Sequence, residues 1–384
     1  MPKTTTLPKP DTLLELTGIL RNQGFLATQY IPSMKRPLWK IVAEPAVFID
    51  YKKGRTNCFS SSALTSFYTG SFFRQKPELE PLYRLFFLNR AVPSQTICGV
   101  LNRQTIQNLL NDGIICENAG SIISNFRIVP WRNSLLLSDP EESYGQRREY
   151  YVYVGGDSTI LSEFVSRAIA GRRFRRGLDL CAGTSIQAHG IVDHCRSVDA
   201  AEYNPRGVAF AELNVAINGL EGRLHPFASK LWEKVDGVYD IIVSNPPYIP
   251  MPEHKVSNRT MDAYGGSDYG MNIPVEIFRG LSEHLDTSGY AVFLAASPVI
   301  RGKSLLHERL SPLADNLGLS ATLTAWNYTD LTLDREYQRR EAISHFVFYI
   351  IEVTRSDAGG LKTVHLPLHR KCPLLLNALF RRYL

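Results

Sequence analysis

A short proline-containing turn has the residue types needed to hold a planar nitrogen group. It reads Ser244-Asn245-Pro246-Pro247-Tyr248-Ile249 and follows the apolar run Tyr239–Val243. Two successive prolines fix the backbone and remove two N–H donors, so nearby carbonyls are left as acceptors without local partners. Together with the Asn245 side-chain carbonyl, these acceptors could hold the hydrogens of an NH2 group, while Tyr248 offers a flat face. The turn therefore predicts a site for a planar amide or amine.

A second candidate is a turn of small residues in the stretch Leu178-Asp179-Leu180-Cys181-Ala182-Gly183-Thr184-Ser185. A strand pattern ends there and a helix pattern begins. Small residues let the backbone approach a ligand closely, and the exposed N–H groups at a helix start are hydrogen-bond donors. A tight strand-to-helix turn without a ligand can have the same composition, so this stretch alone does not identify a site.

A third candidate lies at the end of the next predicted strand, in Val198-Asp199-Ala200-Ala201-Glu202-Tyr203-Asn204-Pro205. A carboxylate about twenty residues after a ligand-binding turn is placed to accept hydrogen bonds from the hydroxyls of a ribose. Glu202 stands at the strand end, whereas Asp199 falls inside the strand. Glu202 is therefore the stronger candidate, although a single acid at a strand end is commonly a helix cap or a surface group.

The order of these three stretches resembles that of class I S-adenosylmethionine-dependent methyltransferases. Asn245-Pro246-Pro247-Tyr248 is similar to the signature of the amino-methylating subset. Within that subset the likeness is greatest to the release-factor glutamine N-methyltransferase family, because residues 263–271, AYGGSDYGM, are similar to its glycine-rich stretch. The resemblance covers about residues 153–353. It implies S-adenosyl-L-methionine as the cofactor and a planar amide or amine nitrogen, such as a protein glutamine amide, as the methyl acceptor.

The resemblance also implies roles for matching positions. Asn245 and the Pro246 carbonyl would hold the acceptor nitrogen and Tyr248 would stack on it, which makes these three the expected catalytic residues. Glu202 would bind the cofactor ribose and Ser229 would border its adenine. The full set of expected cofactor-binding positions is Asp179, Cys181, Ala182, Gly183, Glu202, Tyr203, Ser229 and Asn245. No metal site is expected.

Three positions depart from the family pattern. The cofactor turn keeps one glycine, Gly183, where the family commonly has three, and Cys181 and Ser185 stand at the other two. Ser229 occupies a position where aspartate is more usual. Weaker cofactor binding, or loss of turnover in a binding or regulatory protein, therefore stands as an alternative to an active enzyme.

Predicted elements around these stretches alternate strand, helix, strand, helix. Strands are predicted near residues 177–181, 197–202, 224–227, 239–244, 290–296, 320–326 and 344–353. Such alternation is typical of an α/β fold with a Rossmann-like, doubly wound, mostly parallel sheet, which binds ligands at the carboxyl ends of its strands. We expect a methyltransferase domain at residues 150–355, an N-terminal accessory and substrate-recognition domain at 1–140, and a C-terminal extension at 356–384.

Part of the N-terminal domain has a pattern of its own, at about residues 82–131. Helices are predicted at 82–88, 94–101 and 103–111, followed by a hairpin of 114–117 and 122–129. Three short helices and a hairpin form a winged-helix-like α+β arrangement. That shape binds DNA in many proteins and serves for protein contacts in others, and the sequence does not choose between them. The function of residues 1 to about 80 is not evident.

Just before the cofactor turn, Gly155-Gly156-Asp157-Ser158-Thr159 precedes a predicted helix that Asp157 or Ser158 would cap. Covering of the cofactor by this stretch is the alternative. The nearby aromatic run Tyr150, Tyr151 and Tyr153 favours strand packing over a substrate site.

Composition limits the class of protein. The 384 residues are 44% hydrophobic and 21% charged with a formal net charge of +6, which excludes long disorder, collagen and coiled coils. Six scattered cysteines form no CxxC pair and indicate free thiols. No signal peptide or membrane span is predicted, so a cytoplasmic protein without membrane partners is expected.

The sequence is compatible with three classes of methyl acceptor. A protein amide follows from the motif, and a small-molecule nitrogen follows from the unfamiliar N-terminus. A nucleobase amine follows from the winged-helix pattern and from basic clusters, whose members are Arg172, Arg173, Arg175, Arg176, His369, Arg370, Lys371, Arg381 and Arg382. Such clusters are usually solvated surfaces, so contact with nucleic acid is a weaker expectation.

Overall fold

The computed structural model of the chain describes residues 7–30, 72–140, 150–249, 264–329 and 335–365. Its helices are α1 (Pro10–Asn22), α2 (Leu79–Leu82), α3 (Ser94–Cys98), α4 (Arg103–Asn111), α5 (Gly156–Ala168), α6 (Ile186–Ile191), α7 (Pro205–Ile217), α8 (Ser267–Gly270), α9 (Asn272–His284), α10 (Leu305–Leu317) and α11 (Arg335–Arg340). Its strands are β1 (Val92–Pro93), β2 (Ile115–Asn118), β3 (Ser121–Ser124), β4 (Arg127–Trp131), β5 (Ser134–Ser138), β6 (Phe174–Leu180), β7 (Cys195–Glu202), β8 (Leu224–Ala228), β9 (Tyr239–Ser244), β10 (Leu285–Ile300), β11 (Lys303–Ser304), β12 (Leu319–Thr329), β13 (Ile343–Arg355) and β14 (Gly360–His365).

A nine-stranded sheet dominates the described residues after 150. Its strand order is β14-β12-β13-β10-β9-β6-β7-β8, and β11 pairs with β10 at the side. The strands from β10 to β8 run parallel to their neighbours, β13 is antiparallel to both β10 and β12, and β14 is parallel to β12. The Rossmann-like, doubly wound, mostly parallel sheet predicted from the sequence is confirmed.

The strand order reverses between β6 and β9. From β6 the chain moves outward through β7 to β8, and it then returns to form β9 on the other side of β6. Connections that leave two adjacent parallel strands in opposite directions open a crevice at the carboxyl ends of those strands. Leu180 pairs with Ser244 in the register of these strands, so the turns that follow β6 and β9 lie side by side.

Helices cover both faces of this sheet, which explains why its central strands are apolar without alternation. On one face, α9 and α10 bury residues such as Phe278 and Leu310 in a cluster with Phe293 of β10. On the other face, α5 and α6 bury Leu161 and Ile191. The predicted strands are all present, but β10 and β12 extend beyond the predicted limits. Helices α9 and α10 were not among the predicted elements.

From α2 onward, the N-terminal elements follow the order helix, strand, helix, helix, hairpin. Strand β1 pairs with β3, and β3 pairs with β2, in a small antiparallel sheet. Helix α4 begins where the side chain of Asn102 accepts a hydrogen bond from the Thr105 backbone N–H at 2.8 Å, as an N-cap does. This order is compatible with a winged-helix unit, which stays a prediction. The second strand of the predicted hairpin ends at Ser124, and the chain turns there before it forms β4.

Strand β5 is held against α7 by two asparagine side chains one helical turn apart. Asn214 accepts from the Leu137 N–H at 2.7 Å and donates to its carbonyl at 3.1 Å. Asn218 accepts from the Leu135 N–H at 2.9 Å and donates to its carbonyl at 2.9 Å. These amides replace a neighbouring strand, because they satisfy the backbone groups that an edge strand leaves unpaired.

The contact between β5 and α7 also has an apolar core. Phe210 and Ile217 of α7 are buried in one cluster with Leu13 and Leu20 of α1 and with Leu135 of β5. N-terminal elements and the large sheet are therefore packed through a shared core.

Candidate active site

The carboxyl ends of four neighbouring strands, β9, β6, β7 and β8, lie side by side at the crevice. Leu180 of β6 pairs with Ser244 of β9 on one side and with Ala201 of β7 on the other, and Glu202 pairs with Ala228 of β8. The residues that follow these strand ends therefore share one edge of the sheet. That edge brings together the three stretches that the sequence singled out.

A cavity of about 410 Å³ opens along this edge. The sequence-predicted residues that line it are Cys181, Ala182, Gly183, Glu202, Tyr203, Ser229, Asn245, Pro246 and Tyr248. Asp179 is different, because it lies inside β6, is fully buried, and is not among the lining residues. Its carboxylate instead accepts the Ala188 N–H of α6 at 2.9 Å.

Asn245 presents a carbonyl oxygen that has no partner in the described part of the structure. Its side-chain nitrogen donates to Ser158 Oγ at 2.8 Å and to Asp157 Oδ2 at 3.2 Å. Its Oδ1 atom is buried and accepts no hydrogen bond. Leaving a buried acceptor unsatisfied costs about 1–3 kcal/mol, so such a group in a cavity wall is a candidate ligand contact.

Tyr248 forms the wall beside Asn245. Its ring is buried and meets Phe348 edge-to-face at 5.8 Å between centroids. Its hydroxyl donates to Asp157 Oδ2 at 2.9 Å. Burial, with the charge of Asp157, raises the pKa of Tyr248 well above its usual value, so the phenol remains a donor at neutral pH. The ring is thus fixed at both its edge and its hydroxyl.

The glycine-rich stretch after the turn lies directly against it. The Gly265 N–H donates to the Ile249 carbonyl at 3.2 Å, and Ile249 and Tyr264 form an isolated parallel bridge. A Cβ atom at position 265 would lie 2.7 Å from the Tyr248 Cα and closer still to the Gly270 carbonyl. Glycine is therefore required there by close backbone approach. Residues 250–263, which include the first residue of this stretch, lie outside the described residues.

The turn after β6 has a left-handed backbone at each of the three positions where the resembling family has glycine. Cys181, Gly183 and Ser185 have φ angles of +60°, +53° and +64°. A residue with a Cβ costs roughly 1–2 kcal/mol in this conformation. The turn thus keeps the shape that glycines provide, although two of the three are replaced. The Cys181 thiol lines the cavity, and burial raises its pKa, which keeps it protonated.

Glu202 joins the turn to the end of β7. One carboxylate oxygen accepts the Gly183 N–H at 2.6 Å, and the other accepts the Asn204 N–H at 2.6 Å. Burial raises the pKa of this carboxyl, and the backbone hydrogen bonds oppose that rise. A carboxylate has about four lone-pair sites, so the backbone donors Gly183, Asn204 and Tyr203 leave capacity for a hydroxyl donor.

Other predicted cofactor positions are placed at the same wall. Ser229 donates from its hydroxyl to the Leu231 carbonyl at 2.9 Å and accepts the Lys234 N–H at 3.1 Å, so its side chain stabilises the turn after β8. The Tyr203 ring is 58% exposed and lies at the cavity rim.

Several lining residues were not predicted as site residues. The start of α5 contributes Asp157 and Ser158, and α6 contributes Gln187, whose Nε2 donates to the Ser158 carbonyl at 2.8 Å. Gly155, not Asp157 or Ser158, is the N-cap of α5, so the predicted capping role was wrong. Tyr150 and Tyr153 also line the cavity, which the interpretation as strand packing missed. The glycine pair Gly155-Gly156 just before Asp157 was the sequence feature that could have indicated it as a site residue.

The Arg172–Arg176 cluster lies at the opposite edge of the sheet, where β6 begins. Arg175 pairs with Asp240 at 3.3 Å and Arg176 with Asp199 at 2.9 Å. Arg172 lies over the ring of Phe174 at 5.0 Å. The cluster therefore neither borders the cavity nor presents all its charges unpaired. The basic residues predicted at 369–371 and 381–382 lie outside the described residues.

The described residues contain no group of three or more His, Cys, Asp or Glu side chains that could hold a metal ion. None of the helices described is long and apolar enough to cross a membrane.

Comparison with known proteins supports the identity of the domain around the cavity. Residues 153–261 match the family model described as "Methyltransferase small domain". "Ribosomal protein uL3 glutamine methyltransferase" of Neisseria meningitidis is 30% identical over 120 residues, which are 29% of this chain and 39% of the relative. "Release factor glutamine methyltransferase" of Agrobacterium fabrum is 35% identical over 117 residues, which are 30% of this chain and 38% of the relative.

The chain spans about two fifths of the length of these curated relatives. Among solved structures, the ribosomal protein L11 methylase of Lactobacillus delbrueckii subsp. bulgaricus superposes with a TM-score of 0.34 at 17% identity, covering 57% of this chain and 90% of that one. That superposition is too loose to carry an argument, so the fold assignment rests on the observed sheet. The methyltransferase resemblance seen in the sequence is confirmed by the match of residues 153–261 to a methyltransferase family model.

Proposed function

We propose that the protein is an S-adenosylmethionine-dependent N-methyltransferase whose acceptor is the side-chain amide of a protein glutamine. The observation that carries this proposal is the buried, unpartnered Asn245 Oδ1 next to the turn that would hold the cofactor. The relatives named above are glutamine methyltransferases by their printed names, which supports an amide acceptor. A cytoplasmic location fits such substrates.

The residues at the strand ends fit the cofactor. Ala182, Gly183 and Ser229 line the cavity, and Glu202 retains capacity to accept a hydrogen bond from the ribose. When bound, S-adenosylmethionine supplies a methyl group on a positively charged sulfur, which is an activated leaving group. The protein therefore has to supply mainly proximity and orientation.

The residues of the turn after β9 would act on the methyl acceptor. An amide nitrogen is a poor nucleophile because its lone pair is delocalised. Asn245 Oδ1 and the Pro246 carbonyl would accept the two N–H bonds of the amide and favour a pyramidal nitrogen. The same oxygens stabilise the positive charge that develops on the nitrogen as the new N–C bond forms. Tyr248 positions the amide plane by stacking. The nitrogen becomes strongly acidic after the transfer and loses its extra proton to water, so no strong base is required.

We propose a supporting role for the N-terminal elements. The unit from α2 to β3 has the element order of a winged helix and is joined to the domain through β4, β5 and α7. It would act as the substrate-recognition part, because it is fixed to the same body that forms the cavity.

The proposal can be tested with methyl-labelled S-adenosylmethionine and a host extract separated into protein, nucleic-acid and small-molecule fractions. We expect label in the protein fraction, released as N-methylglutamine after complete digestion, and no label with the Asn245→Ala variant. Label in nucleic acid or in small molecules would show that the proposed acceptor is wrong. Cofactor binding without transfer to any fraction by the wild type would contradict the enzymatic role.

A further inference from the structure

Asp157 connects the start of α5 to both residues of the acceptor wall. Its Oδ1 atom accepts the Ser158 backbone N–H at 2.9 Å, within the first turn of the helix. Its Oδ2 atom accepts from Asn245 Nδ2 at 3.2 Å and from the Tyr248 hydroxyl at 2.9 Å. One oxygen of this carboxylate therefore serves the helix, while the other serves the site.

This arrangement determines which way the Asn245 amide faces. The two ends of an asparagine amide have nearly the same shape, so its orientation is set by its partners. An ionised carboxylate only accepts hydrogen bonds, so the atom of Asn245 that faces Asp157 must be the nitrogen. Ser158 Oγ takes the second hydrogen at 2.8 Å. With both hydrogens used, the carbonyl oxygen is left to face away from Asp157.

We propose that Asp157 is a positioning residue that fixes the Asn245 amide so that it presents an acceptor, and not a donor, to the methyl acceptor. The inference rests on the proposed function and deepens it, because it explains how the site selects an NH2 group over a carbonyl or carboxylate of the same shape. A glutamine side chain differs from a glutamate side chain in just this respect. Asp157 thereby sets substrate selectivity without contacting the reacting atoms.

Gly155 leaves room for the Asp157 carboxylate in the position that the structure shows. Position 155 is glycine, and a Cβ atom there would collide with Asp157 Oδ1. The Oδ1 contact with the Ser158 N–H does not require that the second oxygen meet Asn245 and Tyr248. The Oδ2 contacts are thus an observation separate from the helix start.

The test exchanges the amide and the carboxylate. In Asp157→Asn the introduced carbonyl is retained by the Ser158 N–H, so the introduced NH2 faces Asn245, which must turn its own oxygen inward and its NH2 toward the cavity. In Asp157→Asn combined with Asn245→Asp, the introduced NH2 donates to one oxygen of the new carboxylate, and the other oxygen again faces the cavity as an acceptor. Asp193→Asn, at an exposed acid that does not line the cavity, controls for loss of one charge.

We expect Asp157→Asn to lower kcat about 100-fold, the range seen when one stabilising contact is lost. Its affinity for S-adenosylmethionine should stay within about threefold of wild type, since Asp157 is on the acceptor side. The double variant should recover at least about tenfold over either single variant, which is the coupling expected of a direct pair. Asp157→Asn activity above half of wild type, or a double variant no better than the single ones, would overturn the inference.

A second readout needs no turnover. With S-adenosylhomocysteine bound, the affinities of N-acetylglutamine methylamide and N-acetylglutamate methylamide are measured by NMR titration. Wild type should prefer the amide probe, and Asp157→Asn should lose or reverse that preference. Equal affinity of wild type for the two probes, or an unchanged preference in the variant, contradicts the assignment. Failure of the proposed function is a separate observation, since wild type would then prefer the amide probe yet methylate no glutamine.

Discussion

The two turns that meet at the crevice achieve their shapes by different means. The turn after β6 places Cys181 and Ser185 at left-handed φ angles that favour glycine. The turn after β9 has no left-handed residue among 245–249, and its prolines fix the path of the backbone. The energetic cost of this turn is not backbone strain but the buried oxygen of Asn245, which has no hydrogen-bond partner among the described residues.

This difference indicates how each half is arranged. Around the cofactor turn, Glu202 accepts the Gly183 and Asn204 N–H groups, so several backbone contacts hold the turn in shape, although Asp179 Oδ1 and Gln187 Oε1 are also buried without a partner among the described residues. Around the acceptor turn, Asp157 and Ser158 take up the donors of Asn245 and leave an acceptor for a ligand. Substitutions around the turn after β6 should therefore lower activity gradually. Loss of a single contact atom at the turn after β9 should abolish most of the activity.

Removal of the acceptor amide should have the largest effect. We expect Asn245→Ala to lower turnover by about 100- to 1000-fold, because a contact to developing charge is lost. S-adenosylmethionine affinity, measured by equilibrium dialysis, should persist. Asn111→Ala, at an exposed residue of α4, is the matched amide control. Turnover within tenfold of wild type would show that the acceptor half is not the sensitive one.

Loss of Glu202, the proposed ribose acceptor, should have the next largest effect. Glu202→Ala removes a charged acceptor whose hydrogen bonds contribute about 1.5–3 kcal/mol, so the Kd for S-adenosylmethionine should rise about 10- to 100-fold. Calorimetric titration measures this change, with Glu212→Ala on the exposed side of α7 as the control. An unchanged Kd would remove Glu202 from the cofactor site.

The buried carboxyl behind the cofactor turn should make stability depend on pH. Burial raises the pKa of Asp179 to about 8, and the charge of Glu202 adds to the rise. Its folded-state pKa therefore exceeds its unfolded value of 3.8. The stability that Asp179 contributes is full below the unfolded value and is lost as pH rises through about 8, by at most about 1.4 kcal/mol per pH unit.

Urea unfolding of wild type and of Asp179→Asn, at matched pH values from about 5 to 9, isolates this contribution. The difference in unfolding free energy between the two proteins should fall with rising pH and level off above about 8. A difference that is constant with pH would mean that Asp179 is already ionised in the folded protein.

The smallest effect should come from relief of backbone strain. Cys181→Gly removes a left-handed residue at roughly 1–2 kcal/mol but adds about 0.5–1 kcal/mol of chain entropy, so a net gain of about 1 kcal/mol or less is expected. Thermal unfolding should register a rise in Tm of a few degrees. Gly183→Ala should do the reverse, since its nearest neighbour would be Val152 at 3.6 Å and strain alone would act. A lower Tm in Cys181→Gly would show that thiol packing outweighs strain.

Much of the sheet and the location of the site could be predicted from the sequence. Each strand of the crevice has an apolar run followed by a turn with small or proline residues, and a parallel sheet brings such turns to one edge. Helices α9 and α10 were missed because their apolar positions lie between strands that already fit the pattern, and Pro312 lies inside α10. The location of the site could be predicted because it depends on the order of the strands, and the alternation of strands and helices along the chain indicates that order.

The contacts across the crevice could not be predicted. Asp157 is 88 residues from Asn245, and nothing in either stretch specifies that their side chains meet. The position of Asp179 was also missed, because a strand pattern does not say which residue of the strand faces the cavity. In the structure Asp179 is fully buried within β6, and Cys181, the first residue after the strand, lines the cavity.

The asparagine pair on α7 limits how far the chain can be treated as modular. A shortened protein that began near residue 150 would keep every residue lining the cavity. It would nevertheless lose β5, leaving Asn214 and Asn218 without the backbone partners they hold and uncovering Phe210. Exchange of the N-terminal unit between proteins, to redirect the activity to another substrate, would therefore have to carry β5 and the matching face of α7 together.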